Sequence, residues 1–529
     1  MKTKDLISWV VSRLDKSEQL IEGSRFSVVI LIFLVGLLVR IFPLIMMEFP
    51  TEVPYNGGGL YYHFSETILE NNFAYPRIIP YYTDNGIPFA YPPLLFYLIA
   101  IVAKFTPLST FILHIYLPTF ISVITVVAFY FLAKEIFQER KLILFSTLVY
   151  AMLPVAFSEL IPGEGLCESF GVSIFIIGMI FMHKMFSVDS LKYILITGFL
   201  FGIAVLGSPG GGYAFAISLV VFSFLKGRGI FDAKKFTSVA SIGAVVSSPW
   251  WLTVIDYHGI DALLNGFMSR HSDILGLIVK TLYFNVFGGL FWAAFCLIGI
   301  FYCLIRRDFF LPLWFISVLI PGEIGYIIPI PAAMLITLGL LKVVIPGFKK
   351  DVSNTDKMRQ LLITAFVLLV IFHGVGAAIV PSLSQGYHAM VYNYNKMIYT
   401  EKNDMEAMKW IKQNTAENST FFVLGKETIW MRMDWFPAIT HRTTLNTPYG
   451  SEWAGDFERI VQMDEDISKC TEAYHLTEIA NKYGVRFTHI YISKTQSDAY
   501  LIHNLKHSES FEVVFENTDT IVFVKGGER

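Results

Sequence analysis

Pro92-Pro93-Leu94-Leu95-Phe96-Tyr97-Leu98-Ile99-Ala100-Ile101-Val102-Ala103-Lys104-Phe105 is apolar enough to enter a membrane, and whether it crosses one decides the side of every loop after it. From Pro93 the run has only 13 residues, short of the roughly 20 that a spanning helix needs. Its two leading prolines mark where a helix begins. A short juxtamembrane or re-entrant helix is therefore predicted. Loop charge agrees. With 93–105 left out of the count, Lys134, Arg140, Lys141, Lys192, Lys226, Arg228, Lys234, Lys235, Arg306, Arg307, Lys349, Lys350, Lys357 and Arg359 share the side of the N-terminus. That is one positive-inside face, and counting the segment as a span would turn it outward against the rule. Lys104 is the one awkward charge.

Apolar runs suited to spans fall at about 26–47, 110–133, 142–157, 170–186, 191–207, 210–225, 236–255, 276–304, 309–321, 323–346 and 360–381. Of the 529 residues 54% are hydrophobic and 16% charged, and the mean hydropathy is +0.54. These values exclude a single water-soluble globule and define a multi-span membrane protein. The reading is a mainly α, polytopic helix bundle of about 11 spans, with a cytoplasmic prefix at 1–25, a membrane domain at 26–384 and a C-terminal outer soluble α/β domain at 385–529. Outer loops are expected at 48–109, 158–169 and 256–275. In the tail, Asp404 to Ile411 has helical spacing, Phe421-Phe422-Val423-Leu424 reads as a buried strand, and 471–483 as a helix. Val485 to Ile492 reads as a strand, and Phe511 to Phe515 with Thr520 to Val524 as a hairpin.

A net charge of −2 and the lack of a basic run with interleaved aromatics exclude nucleic acid as a natural partner, which leaves membrane lipids. Cys167, Cys296, Cys303 and Cys470 form neither CxxC pairs nor a disulfide framework. Chemistry concentrates instead in loop acids: Glu52, Glu66, Glu70 and Asp84 in the first loop, and Glu159, Glu164 and Glu168 in the second. Such carboxylates suit a general base on an acceptor hydroxyl, or a divalent cation such as Mg or Mn held between loops. The plain alternative for each is a solvated loop acid. Glu164 stands out because Gly163 and Gly165 flank it and permit close backbone approach to a ligand. No cofactor is demanded by the sequence.

Three blocks together resemble the GT-C membrane glycosyltransferases, the superfamily of protein mannosyltransferases, oligosaccharyltransferase catalytic subunits and aminoarabinose transferases. They are Gly57-Gly58-Gly59-Leu60-Tyr61-Tyr62-His63 with Tyr91-Pro92-Pro93-Leu94, then Leu153-Pro154 with Pro162-Gly163-Glu164-Gly165-Leu166-Cys167-Glu168-Ser169, and Ser248-Pro249-Trp250-Trp251 leading into His258-Gly259. The tail block Asp434-Trp435-Phe436-Pro437-Ala438-Ile439-Thr440 with Gly450-Ser451-Glu452-Trp453 resembles prokaryotic members of the same group.

The resemblance implies a bundle with a catalytic first outer loop, a polyprenyl-phosphate sugar donor, a glycan, lipid or protein acceptor, and inverting transfer with a first-loop acid as base. Relatives often place an Asp just before the Tyr/His pair, where this chain has Gly57 to Leu60 and no acid. Glu52 and Glu66 are then the candidate bases, with Glu164 as a second acidic group or metal ligand. Should Tyr61 to Glu70 be helical, Glu66 and Glu70 share a face with Tyr62 and His63. Implied substrate contacts are Tyr61, Tyr62, His63, Tyr91, Glu168 and His258, with Arg77 and the pair Arg270-His271 suited to the donor phosphate. Two other classes remain open: a non-catalytic GT-C-like binding protein, which the missing Asp favours, and a transporter or lipid flippase, which would need charges buried at mid-membrane.

Overall fold

The structure is a computed structural model that describes residues 27–46, 57–160, 163, 165–227, 232–268, 290–319, 325–346, 402–425, 429–494 and 499–526. Its helices begin with α1 (Ser27–Met46), α2 (Gly59–Glu70), α3 (Leu94–Phe105), α4 (Thr110–Ile136), α5 (Arg140–Met152), α6 (Gly165–Ser187) and α7 (Leu191–Gly207). They continue with α8 (Pro209–Leu225), α9 (Ala233–His258), α10 (Ile260–Met268), α11 (Leu290–Ile305), α12 (Phe310–Leu319) and α13 (Pro329–Leu338), which runs on through the wider turn Gly339–Val344. A small hairpin, β1 (Ile78–Ile79) and β2 (Ile87–Pro88), closes the loop after α2.

Four described helical stretches are long and apolar enough to cross a membrane: Thr110–Ile136, Gly165–Ser187, Ala233–His258 and Gly325–Val344. Six shorter apolar helices accompany them, α3 among these. At 12 residues α3 rises only about 18 Å, against a hydrocarbon core of about 30 Å. It buries Leu95, Phe96, Ile99 and Ala100 and leaves Leu98, Ile101 and Val102 outward. The apolar run expected at 142–157 divides instead. Leu153 precedes a proline and takes an extended conformation, so α5 ends at Met152 and a single 3-10 turn, Pro154–Ala156, follows. The prefix 1–25, much of the expected span 276–304 and the whole of 360–381 lie outside the described residues.

At the bundle centre α6 packs against α4, α7 and α8. Small residues set these distances, because in lipid there is no hydrophobic drive between helices and close packing must supply the attraction. Gly202 of α7 is one such place: a Cβ there would lie 2.4 Å from Val246 Cβ on α9. The outward faces carry exposed Leu34, Leu38, Phe120, Ile124, Phe131, Phe199, Val245 and Phe301, as lipid contact requires. Ion pairs tie several helices and loops together. Glu135 pairs with Lys184, Glu139 with Lys342, and buried Lys235 reaches Asp189 and Asp232 while donating to Met185 O.

The tail comprises α14 (Lys402–Asn414), β3 (Thr420–Leu424), α15 (Ile429–Thr440), β4 (Thr443–Thr444), α16 (Phe457–Ser468), α17 (Ala473–Tyr483), β5 (His489–Ser493), α18 (Ala499–Lys506), β6 (Phe511–Glu516) and β7 (Thr520–Lys525). The strands form one sheet in the order β4-β3-β5-β7-β6, parallel from β4 to β5 and antiparallel from β5 to β6. Helices cover both faces. Phe422, Ile490 and Phe523 pack beneath α16 and α17, while Phe421, Tyr491 and Val522 pack beneath α14 and α15. The strand expected from Val485 starts only at His489. Before it, Thr488 exchanges side-chain and backbone hydrogen bonds with Thr420, and Gly484 takes a left-handed conformation that ends α17.

Candidate functional site

The site begins where α2 begins. Helix N-termini leave N–H groups without intrahelical partners, and Gly57-Gly58-Gly59 has no side chain to cap them. The cap comes from the tail. Gly58 N and Gly59 N donate to Asp434 Oδ2 at 2.6 and 2.8 Å, and Leu60 N donates to Asp434 Oδ1 at 2.8 Å. Gly58 sits at φ +117°, which favours glycine. At Gly59 a Cβ would stand 2.3 Å from Asp434 O, so only glycine lets the two backbones meet. The Tyr82 hydroxyl donates to that same carbonyl at 2.7 Å. Burial pushes the Asp434 carboxyl up to about 6, the three N–H groups offsetting only part of the desolvation. It stays ionised at pH 7, as a helix N-terminus favours.

From this anchor α2 presents two faces. On one, Tyr61 and Tyr91 share a hydroxyl hydrogen bond at 2.7 Å beside a cluster of Phe64, Phe89 and Phe96. Burial raises the Tyr61 hydroxyl well above its ordinary value, and the nearby Glu168 charge, from the first turn of α6, raises it further. On the other face Tyr62 packs its ring against Trp435 of the tail at 5.7 Å and against Phe111 and His114 of α4. Burial and then the charges of Glu66 and Glu70 push the Tyr62 hydroxyl upward. Glu66 accepts a short hydrogen bond from the Thr110 hydroxyl and keeps partial contact with solvent.

His63, the next residue along α2, is 3% exposed. Its ring packs among Tyr81, Tyr82 and His441. Burial, and then the neighbouring His441, lower it to about 3, so it is neutral at pH 7 and offers no positive charge to a phosphate. Arg77 is exposed and lies over the Tyr257 ring at 4.4 Å, near the end of α9. His258 meets the Arg77 backbone. Glu159, in the second loop, keeps solvent contact although protein crowds it, and that crowding raises its carboxyl.

The structure thus brings Tyr61, Tyr91 and Glu168 together, sets Tyr62 beside Glu66, and places Arg77 with His258 at a separate contact on Tyr257. Glu52, Glu164, Arg270 and His271 lie outside the described residues. Among the described residues no group of three or more His, Cys, Asp or Glu side chains is placed to hold a metal ion. Asp434 is a functional residue that the sequence does not single out. The block around it was visible, but nothing local shows that its carboxylate belongs to α2.

The sequence profile of the dolichyl-phosphate-mannose-protein mannosyltransferase family matches residues 90–252. No curated protein matches the chain. Among solved structures, the Archaeoglobus fulgidus oligosaccharyltransferase in its apo form matches 95% of this chain and 74% of its own at a TM-score of 0.60 and 16% identity. The same organism's oligosaccharyltransferase AglB, solved with an inhibitory peptide and a dolichol-phosphate, gives 0.59 at 15% identity over 96% of this chain and 75% of that one. ArnT from Cupriavidus metallidurans bound to undecaprenyl phosphate matches 94% of this chain and 97% of its own at 0.54 and 14% identity. The fold is therefore that of the GT-C membrane glycosyltransferases. An A. fulgidus oligosaccharyltransferase structure also holds Zn and sulfate.

Proposed function

We propose that the chain is a membrane glycosyltransferase that moves a sugar from a polyprenyl-phosphate donor to a glycan, lipid or protein acceptor at the outer face of the cell membrane. The observation that carries this reading is the match over nearly the whole chain to two proteins solved with a polyprenyl phosphate, dolichol-phosphate in one and undecaprenyl phosphate in the other. The N-terminus is cytoplasmic and the tail outside, a sidedness supported by the positive-inside count of the loop charges.

In the transfer, an acceptor hydroxyl attacks the anomeric carbon while the bond from that carbon to the phosphate oxygen breaks. The polyprenyl phosphate leaves with the electron pair, and the hydroxyl proton passes to a carboxylate. Glu52 or Glu66 is that base. Glu66 has the partial solvent contact and the single hydroxyl donor that suit a group which must take up a proton. Arg77, exposed on the Tyr257 ring, is a phosphate contact. Glu168 and Tyr61 line the neighbouring face. Glu164 is the candidate second acid or metal ligand.

The test is direct. Full-length protein in lipid nanodiscs is given a panel of polyprenyl-phosphate sugars, and free sugar and transferred sugar are both measured. At least one donor is expected to be consumed, with loss in Glu52→Gln or Glu66→Gln. If no donor binds or is consumed, and cells carrying Glu52→Gln, Glu66→Gln and Glu164→Gln keep unchanged surface glycans, the reading is wrong.

A further inference from the structure

The contact between Asp434 and α2 has a property that simple docking would not need: it replaces the helix's own cap. Gly57 to Gly59 cannot supply one, and all three N–H groups of the first turn end on one carboxylate 374 to 376 residues away. That carboxylate is 2% exposed, and both of its oxygens are used. Around it the loop and the tail meet along a continuous surface. Thr444 N of β4 donates to Tyr81 O at 2.8 Å, Trp435 packs on Tyr62, and Trp453 meets Tyr91 at 5.9 Å. Tyr61, Tyr62 and Glu66 all project from the helix whose first turn is held in this way.

We infer that Asp434 is a positioning residue: its carboxylate fixes the first turn of α2, so the tail sets the geometry of the candidate site rather than resting beside it as a separate module. A rigid helix transmits a shift at its first turn to every side chain it carries. Displacements of about 1 Å at a reacting group cost on the order of 100-fold in rate. Where turnover is concerned the inference rests on the proposed glycosyl transfer. Where the geometry of α2 is concerned it does not.

The experiment uses the full-length protein and two readouts. Hydrogen exchange is followed in peptides covering residues 57–64 and, as a control for an intact tail, in the β5 strand. Donor turnover is followed as kcat and KM. Asp434→Ala is expected to speed exchange at 57–64 by about tenfold or more, as expected when N–H groups lose a hydrogen bond, while β5 is unchanged. It is also expected to lower kcat by about 100-fold with little change in KM. Asp434→Asn keeps the volume and part of the acceptor set, so it falls between alanine and wild type in both readouts. Should Asp434→Ala unfold the tail, Tyr82→Phe and Asp434→Asn decide, since each weakens the anchor without emptying it. Unchanged exchange at 57–64 with a folded tail overturns the inference, and so does faster exchange with unaltered kcat. If wild-type protein turns over no donor, the functional reading falls and the exchange result alone decides.

Discussion

The two ends of α2 are held by different physics. At its N-terminus three backbone N–H groups meet a buried carboxylate from the tail, a contact with no solvent and no slack. Further along, Glu66 takes a single hydroxyl hydrogen bond from Thr110 of the membrane bundle and keeps partial access to water. A multiply bonded, desolvated charge holds position because losing a partner leaves polar groups stranded, at about 1 to 3 kcal/mol each. A singly bonded, partly exposed carboxylate is held far less firmly. The contrast separates what fixes the helix from what can react on it.

Removing the Glu66 carboxylate, the base in the proposed transfer, tests that division most severely. Glu66→Gln keeps the shape and can still accept from Thr110, yet it cannot take up a proton. Turnover is expected to fall by about 100- to 10,000-fold, the usual range for a general base. Thermal stability should stay within about 0.5 kcal/mol of wild type, as for a partly exposed side chain. Donor hydrolysis measured alongside a melting curve checks both. A fully active Glu66→Gln protein would move the base to Glu52 and leave α2 a scaffold at both ends.

The anchored end should give the opposite result, with stability changing first. Gly59→Ala places a methyl group where 2.3 Å separates it from Asp434 O, and neither backbone can yield without breaking the N–H contacts. Overpacking of this kind costs about 1 to 3 kcal/mol. The loss should be seen as a lower melting temperature and easier proteolysis around residues 57–64. A Gly59→Ala protein as stable as wild type would mean that the close approach is not needed.

What the residues disclosed on their own follows the same line. Apolar runs and loop charge located α1, α4, α6 to α9 and the short α3, because hydrophobic periodicity and the length of a span are written into neighbouring residues. The hairpin of β6 and β7 is likewise legible, whereas the sequence offers the helix over Tyr61 to Glu70 only as a supposition. Helices α16 and α18 carry no clear signal in the sequence, and α15 stands out only as a motif, with Pro437 inside it. Above all, the gap at Gly57 to Leu60 read as a missing acid, when Asp434 supplies a carboxylate to those N–H groups from across the chain. No periodicity or spacing reports a contact between positions so far apart. His63 shows the same limit. Its place in a Tyr/His block suggested a ligand contact, whereas the tail's His441 and the rings of Tyr81 and Tyr82 make it a buried neutral group.

That burial sets up an opposition in pH that can be taken apart. The His63 ring has a pKa of about 3 in the folded protein against an ordinary 6.5, so the unfolded chain binds its proton first. Its contribution is complete above pH 6.5 and is lost as pH falls, at about 1.4 kcal/mol per unit. Asp434 works the other way. Raised from 3.8 to about 6, it takes its proton first in the folded protein, so the cost of burying its charge is relieved as pH falls from 6 toward 3.8. Between about pH 6 and 4 the two slopes nearly cancel, with half-buried His441, also lowered and set beside Lys412 and Arg442, adding to the loss at low pH. Asp434→Asn should therefore steepen the loss of stability on acidification relative to wild type. His63→Phe, which keeps a ring among rings, should flatten or reverse it. Melting temperatures from pH 6.5 to 4.5, read as differences from wild type so that other carboxylates drop out, check both. Equal slopes in all three proteins would mean that neither group is buried as a charge-sensitive contact, and the anchored end of α2 would then be held by shape alone.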